Sequence, residues 1–312
     1  MFEIIIEEKN IVLIVSSTQT QVEIFFFGAL LNKFIVLRNG KGFNVIDGYK
    51  NIEDAKENIT NGFKSAKLSP FVCRLKNGRF NFENAHYKIN KFYLNDEAIH
   101  GLLYDAEFEI AGKDSEEDRA FVKLKYVYNK KTEGFPFQFK IEIIYELKKD
   151  NALSITTIVT NQDEKNMPLS DGWHPYFTFE KTIDNLLLQI NSKQMVEFDE
   201  KLLPTGKFLP YTKFNSLKKI ENISLDNCFV LNENAEPACV LRDEESGLQL
   251  NIIPEKSYPY LQIYTPPERQ SIAIENLSSA PDSFNNKIGL IILKPKEERV
   301  FKTTYQLSFV NS

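Results

Sequence analysis

Strict alternation of apolar and polar side chains constrains the fold of this chain more than any other feature of its sequence. In residues 137–147, Phe139 and Ile141 fall on one parity and Lys140 on the other, and residues 120–128 follow the same rule. A period of two residues puts the apolar set on a buried sheet face and the polar set in water. Both segments are therefore predicted to be half-buried β-strands.

The segment between these two strands predicts how they pair. Residues 129–136 are charged and contain Gly134 and Pro136, which favours an antiparallel hairpin with a long loop. Similar short runs predict further strands along the chain. They lie at residues 2–7, 11–15, 21–27, 152–159, 186–190, 194–198, 238–242, 248–253, 259–264, 271–275, 288–293 and 300–310.

Helical periodicity is scarce in this sequence. Residues 51–63 are the best candidate for a short helix, because Ile52, Ala55 and Ile59 recur there at near-helical spacing. Aromatic residues reach 12% of the chain, and their rings suit the half-buried face of a sheet. No β–α alternation, internal repeat or proline-rich linker is visible. We therefore expect an all-β protein, a large and mostly antiparallel β-sandwich formed by one domain over residues 1–312.

Charge and cysteine content narrow the class of protein. A formal charge of −5 and a pI of about 5.5 argue against electrostatic capture of nucleic acid or anionic membranes. No apolar run is long enough to span a bilayer, and the start, MFEIIIEEKN, lacks the basic segment of a signal peptide. Cys73, Cys228 and Cys239 are too few for a disulfide framework. We expect a cytoplasmic monomer or homodimer with no nucleic-acid or membrane partner.

The three histidines carry more information about function. His86 lies in a predicted strand and is interpreted as a surface or packing residue. His100 precedes Gly101, and His174 lies in the run SDGWHPYFTF, which holds Trp173, the only tryptophan. Aromatic rings around a few polar groups are typical of a sugar or small-ligand cleft. The residue types alone leave a structural role open for His100 and His174.

Glu275 directly follows the apolar run 272–274. A carboxylate at the end of a buried strand is partly desolvated, which raises its pKa and suits it to general-base work; a water-exposed strand end is the alternative. His100, His174 and Glu275 also match zinc ligands in kind. The gaps between them are 74 and 101 residues, without the short spacing typical of zinc motifs. This pattern favours acid–base chemistry over a metal site.

Six segments, taken in order, resemble the aldose 1-epimerase (galactose mutarotase-like) family over roughly residues 20–310. They are SPFVCRLKNGRFNFENAHYKIN, EAIHGLLYD, DGWHPYF, LDNCFVL, YLQIYTP and IENLSSAPDSFNN. The histidine–glycine pair alone is a weak signal, whereas the six in this order are quite specific. Cys73 stands where the family commonly has asparagine, and Leu102 where a second glycine is common. The resemblance is therefore to a divergent branch of the family.

The resemblance implies a β-supersandwich with an open cleft. It also implies a mutarotase that interconverts the α and β anomers of a free aldose without a cofactor. In this scheme Glu275 is the general base for the anomeric hydroxyl and His174 is the general acid for the ring oxygen. A neighbouring carboxylate is expected to keep His174 protonated, and His100 is expected to donate a hydrogen bond near the ring oxygen or the C1 hydroxyl. Residues expected to contact the sugar are Arg74, Asp226, Gln262, Trp173 and Tyr176.

Two other functions remain open at this point. An epimerase for a hexose 6-phosphate needs several cations converging on the phosphate, and the sequence offers Arg74 near a motif, with Lys64, Lys67 and Arg79 as possible helpers. A non-catalytic sugar-binding protein on the same scaffold has no need of a matched acid and base.

Overall fold

Antiparallel strands dominate the computed structural model, which describes residues 1–233 and 236–310. Strands take up 52% of the chain and helices 6%, so the predicted all-β class is confirmed. None of the helices in these two ranges has the length and apolar character that crossing a bilayer requires.

The elements are numbered in chain order. The strands are β1 (Phe2–Ile6), β2 (Asn10–Val15), β3 (Thr20–Phe25), β4 (Leu31–Arg38), β5 (Lys41–Asn44), β6 (Ala66–Leu68), β7 (Arg74–Leu75), β8 (Arg79–Phe82), β9 (Ala85–Lys88), β10 (Tyr93–Leu94), β11 (Glu97–Ile99), β12 (Glu109–Ser115), β13 (Arg119–Asn129), β14 (Gln138–Lys148), β15 (Ala152–Asn161), β16 (Met167–Leu169), β17 (Gly172–His174), β18 (Tyr176–Phe177), β19 (Leu187–Ile190), β20 (Ser192–Phe198), β21 (Pro204–Pro210), β22 (Lys218–Lys219), β23 (Asp226–Leu231), β24 (Cys239–Arg242), β25 (Leu248–Pro254), β26 (Tyr260–Tyr264), β27 (Ile272–Leu277), β28 (Ile291–Leu293) and β29 (Glu298–Phe309). The α-helices are α1 (Ile52–Asn58) and α2 (Ser283–Asn286), and short 3₁₀ turns lie at Lys76–Gly78 and Ile183–Asn185.

Two large sheets pack face to face. One has nine strands in the order β12-β13-β14-β15-β29-β25-β24-β19-β22. The other has eight, in the order β21-β20-β23-β26-β27-β17-β6, with β18 also paired to β27. Side chains from both sheets meet between them: the ring centroids of Tyr145 and Trp173 are 6.0 Å apart, and those of Phe177 and Tyr305 are 5.3 Å apart. The predicted sandwich is thereby confirmed, and β1 to β5 form a further five-stranded sheet.

All the strands predicted from alternation are present, with ends shifted by a few residues at most. The predicted hairpin is β13 and β14, whose antiparallel register pairs Tyr126 with Ile141. The hairpin of β4 and β5 was not predicted, although Asn39 and Gly40 at its turn both have left-handed backbones (φ +53° and +76°). An Asn-Gly pair between apolar runs is a strong hairpin signal.

The predicted helix over 51–63 is shorter than expected. It begins after Asn51, whose side chain accepts a hydrogen bond from the Asp54 N–H at 2.9 Å, and it ends at Asn58. The prediction was wrong for the last residues because the chain turns there, with Gly62 at φ +93° and Phe63 at φ +54°. These left-handed conformations cannot continue a right-handed helix.

A buried ion pair lies behind the strand that carries His174. The Lys67 Nζ atom is 2.5 Å from Asp171 Oδ1, and both side chains are fully buried. The ammonium also donates to the Thr157 hydroxyl at 3.1 Å, and the Tyr258 hydroxyl donates to Asp171 at 2.7 Å. Because Lys67 lies on β6 and Asp171 directly precedes β17, the pair connects the edge of the eight-stranded sheet to the strand beside it.

We expect the Lys67→Met variant to lose about 3–5 kcal/mol of unfolding free energy, because it leaves the Asp171 carboxylate buried without its partner. Urea denaturation followed by tryptophan fluorescence measures this. The matched control is Lys64→Met, which breaks a half-exposed pair with Asp47 at 2.7 Å and is expected to cost at most about 1 kcal/mol. Equal losses of unfolding free energy in the two variants would contradict the expectation that the buried pair matters more for stability than the half-exposed one.

Candidate active site

The eight-stranded sheet aligns polar side chains from neighbouring strands on one face. In the antiparallel register Gln262 of β26 lies opposite Glu275 of β27, and Asp226 of β23 lies opposite Tyr264 of β26. Directly paired residues point to the same face, as do residues two apart in one strand. Strand β17 joins β27 through Gly172 and Leu277, so His174 comes to the same face as Glu275.

Trp173 lies on the opposite face of β17. Its ring packs between the two sheets, with Lys67 Nζ 4.2 Å from the ring centroid and Tyr145 in edge contact. Neighbouring residues of a strand point to opposite faces, so a cavity-facing His174 directs Trp173 into the core. The expectation that Trp173 flanks the sugar is therefore wrong; the ring beside His174 is Tyr176, stacked at a centroid distance of 5.2 Å.

Loops supply the wall that faces the sheet. The backbone N–H of His100 donates to the Cys73 carbonyl at 2.9 Å, and Ile99 pairs with Arg74 in β11 and β7. His100 itself has a left-handed backbone, with φ at +61°. Gly101 follows at φ +76°, where a Cβ atom would lie only 2.5 Å from the Ser69 carbonyl oxygen. Glycine is thus required after His100 by the tight approach of two loops.

These elements enclose a cavity of about 390 Å³. Of the eight site residues predicted from the sequence, all but Trp173 line it. The lining consists of Thr60, Asn61, Gly62, Phe63, Cys73, Arg74, Phe92, Leu94, Ile99, His100, His174, Tyr176, Phe198, Leu202, Asp226, Gln262, Tyr264, Glu275 and Pro281.

Several lining residues were missed in the sequence. Tyr264 follows Gln262 by two positions in the same strand, so alternation alone could have identified it. Phe63, Cys73 and Leu202 carried no such signal, because each has a left-handed backbone set by the surrounding loops (φ +54°, +48° and +58°).

A histidine–carboxylate pair lies at the floor of the cavity. The His174 Nε2 atom is 3.3 Å from Glu275 Oε1, and the two side chains are only 6% and 3% exposed. The Cys73 thiol is 3.8 Å from the other carboxylate oxygen, Oε2. The pair is thus within proton-transfer reach and almost removed from water.

Burial decides the protonation of this pair. It lowers the pKa of His174 to about 4, and it raises the pKa of Glu275 well above the usual carboxyl range, with the nearby charge of Asp226 acting in the same direction. The expectation that the carboxylate keeps His174 protonated is therefore not met, since desolvation is the main cause of its pKa shift. Burial thus favours the uncharged form of each member of the pair.

His100 is the third group at this point. Its ring meets that of His174 edge-on at 4.7 Å, and burial followed by His174 and Arg74 lowers its pKa well below the usual value. The Nδ1 atom of His100 and the Oε1 atom of Gln262 are buried without a hydrogen-bond partner among the described residues. Buried polar atoms are normally paired, so both are suited to bind the hydroxyls of a ligand.

A second polar group lies along the sheet from the pair. Gln262 Nε2 donates to Asp226 Oδ1 at 2.7 Å. Burial raises the pKa of Asp226, while the Arg74 guanidinium opposes this shift. Arg74, Asp226 and Gln262 thus present a mixed set of donors and acceptors, as recognition of several hydroxyls requires.

His100, His174 and Glu275 also match metal ligands in kind, and their ligand atoms lie within 4.8 Å of one another. Two features fit a metal poorly. Tetrahedral zinc with bonds of about 2.0–2.1 Å needs ligand atoms roughly 3.4 Å apart. A ligating histidine also normally donates its second ring N–H to a partner, whereas the Nδ1 atoms of both histidines lack one in the described ranges.

The fold and the site define the class as a large antiparallel β-sandwich with a buried histidine–carboxylate pair in a cavity. The family model for aldose 1-epimerase matches residues 11–306. The chain therefore belongs to the aldose 1-epimerase family, as its sequence motifs predicted.

The relatives are distant. The uncharacterized protein YihR of Escherichia coli is 27% identical over 76% of this chain and 77% of its own length. An aldose 1-epimerase of Streptococcus thermophilus is 23% identical over 90% of this chain and 88% of its own. Among solved structures, a galactose mutarotase-like protein of Clostridium acetobutylicum has a TM-score of 0.85 at 22% identity, covering 99% of each chain. That likeness confirms the supersandwich fold.

Proposed function

We propose that the protein is a mutarotase that interconverts the α and β anomers of a free aldose. The observation that carries this proposal is the contact of 3.3 Å between His174 Nε2 and Glu275 Oε1 at the floor of the cavity. Anomer interconversion needs one group that takes a proton and one that gives a proton, held on either side of the C1–O5 bond. A pair that shares a single proton supplies both.

Ring opening moves one proton in each direction. The proton of the pair first moves from Glu275 to His174 Nε2 across their 3.3 Å contact. Glu275, now ionised, takes the proton of the C1 hydroxyl; the O–H electron pair forms the C1=O bond; and the C1–O5 bond breaks. The ring oxygen receives the proton of His174. The proton of the pair then lies on Glu275, which is the form that burial favours in the free site.

Ring closure reverses these transfers. After rotation about the C1–C2 bond, the other face of the aldehyde meets O5. His174 takes the proton from the O5 hydroxyl, and Glu275 gives its proton to the carbonyl oxygen. The pair ends with the same single proton, so the cycle consumes no co-reactant and requires no cofactor.

The remaining residues hold the sugar in this scheme. His100 donates to the ring oxygen or the C1 hydroxyl, while Arg74, Asp226 and Gln262 bind other hydroxyls. The Tyr176 ring, stacked on His174, supports the orientation of the imidazole. Correct positioning of this kind contributes as much to the rate as the proton transfers do.

Two observations favour a free sugar over a hexose 6-phosphate. Arg74 is the one lysine or arginine among the described residues that line the cavity. The three possible helpers lie elsewhere: Lys64 pairs with Asp47, Lys67 is buried against Asp171, and Arg79 lines a separate surface groove. A phosphate dianion with one cation, next to Asp226, is poorly stabilised.

The Glu275→Gln variant tests the catalytic role. We expect kcat for anomer interconversion to fall by at least about 10³-fold, with the dissociation constant for the sugar changed only a few-fold, because glutamine keeps the shape and loses the proton transfer. Proton NMR of freshly dissolved anomers gives the rate above the spontaneous reaction, and calorimetry gives the affinity. The matched control is Glu268→Gln, at an exposed position outside the cavity. Equal activity of the two variants would exclude the proposed mechanism.

The pH dependence follows from the two pKa shifts. We expect kcat/KM to be bell-shaped, since only the singly protonated pair is active. As the pH falls through about 4, His174 gains a second proton and activity is lost. As the pH rises through the raised pKa of Glu275, the last proton leaves and activity is lost again. A pH profile of kcat/KM with only one transition, near the ordinary histidine pKa of about 6.5, would contradict this assignment.

Metal removal tests the alternative use of the same three side chains. We expect EDTA treatment and dialysis to leave kcat unchanged, because proton transfer between His174 and Glu275 needs no ion. Elemental analysis of the untreated protein provides the parallel measurement. Loss of activity on chelation, restored by zinc, would identify His100, His174 and Glu275 as ligands instead.

A further inference from the structure

Part of the cavity lining is apolar. Phe92, Leu94, Phe198 and Leu202, here called the apolar end, all line the cavity and carry no hydrogen-bonding atom. Leu94 is 43% exposed, although large apolar side chains are usually covered. These four residues present no partner to a hydroxyl.

The apolar end is built by two turns that meet. The Lys201 Nζ atom of the β20–β21 turn is 3.3 Å from Asp96 Oδ2 in the β10–β11 turn. Leu202 directly follows Lys201, and Leu94 precedes Asp96 by two residues. The ion pair therefore places the two leucines on adjoining turns at the same end of the cavity.

The conformation of Leu202 indicates that its side chain has a use. Its φ is +58°, a region in which glycine or asparagine is less strained than leucine. The turn is fixed by Asp199, whose Oδ1 atom accepts from the N–H groups of Lys201 at 2.9 Å and Leu203 at 3.0 Å. A leucine held in a strained conformation within a ligand cavity is best explained by the apolar surface it provides there.

A continuous series of rings connects the acid–base pair to the apolar end. Ring centroids are 4.7 Å apart for His174 and His100, 4.6 Å for His100 and Phe63, and 5.3 Å for Phe63 and Phe92. Along this series the rings change from imidazole to phenyl. A ligand that fills the cavity is therefore expected to have a polar end near His174 and a less polar end near Phe92.

In an aldopyranose that is unmodified at the ring, carbons C1 to C4 each carry a hydroxyl, and only the C5–C6 edge can be free of one. In the proposed mechanism, C1 and O5 lie at His174 and Glu275. The hydroxyls of C2 to C4 are then bound by Arg74, Asp226 and Gln262. We propose that the substrate is an aldose whose C5 substituent is uncharged and apolar, a 6-deoxyaldohexose, with its methyl group at the apolar end. This inference rests on the proposed function and specifies its substrate class.

Sugars that differ only at C6 test the proposal without changing the ring hydroxyls. For the galactose and the glucose configuration, kcat/KM is compared among the 6-deoxy sugar, the parent hexose and the 6-phosphate. We expect the 6-deoxy sugar of the preferred configuration to exceed its parent about tenfold, since burying an unpaired hydroxyl has a cost, and the 6-phosphate to be at least about 10³-fold poorer. Equal values for deoxy sugar and parent in both configurations would overturn the proposal.

The Leu202→Asn variant isolates the apolar end. Asparagine tolerates the left-handed backbone and offers a partner to a C6 hydroxyl, so we expect the deoxy-to-parent ratio to fall about tenfold. The matched control, Glu200→Asn, changes an exposed residue of the same turn, whose side chain does not line the cavity, and should leave the ratio within twofold. A ratio that moves equally in both variants would contradict a role for Leu202.

Binding measurements separate this proposal from the proposed function. Dissociation constants of the same sugars are measured by calorimetry on the Glu275→Gln variant, which needs no turnover. Preferential binding of the 6-deoxy sugar supports the specificity even if the native protein accelerates no anomer interconversion. Turnover of free sugars without any such preference supports the mutarotase and overturns the specificity.

Discussion

The site depends first on the antiparallel register of the eight-stranded sheet. Because Gln262 lies opposite Glu275 and Asp226 opposite Tyr264, one sheet face collects polar groups from three neighbouring strands. A slip of one residue would turn Glu275 into the core and bring Ile274 to the cavity. The loops then add His100 and Arg74 to an arrangement that the sheet has already determined.

The site also depends on burial of its polar groups. Burial of these groups has a cost in folding free energy. Burial favours the uncharged forms of His174 and Glu275, and the Oε1 atom of Gln262 has no partner among the described residues. Each unpaired buried polar atom costs about 1–3 kcal/mol. The core behind the site, including the Lys67–Asp171 pair, supplies the rigidity that maintains such an arrangement.

The sequence predicted the strands because alternation is a local property that survives in the fold. It also predicted seven of the cavity-lining residues through family resemblance. It failed for Trp173, where applying alternation to adjacent residues would have corrected the error. The protonation of His174 was out of reach, since it depends on how deeply two sheets and several loops bury the pair. Leu202 was equally hidden, because only a tertiary turn explains a leucine with a left-handed backbone.

Cys73 brings a sulfur atom within 3.8 Å of the carboxylate at the centre of the site. Thiols react with oxidants and alkylating agents as thiolates. Burial, together with the negative charge of Glu275, raises the pKa of this thiol well above its usual value. The thiolate form is therefore disfavoured next to the acid–base pair. Cys73 is therefore less reactive towards oxidants than an exposed thiol, and the acid–base pair gains protection from oxidation of its neighbour.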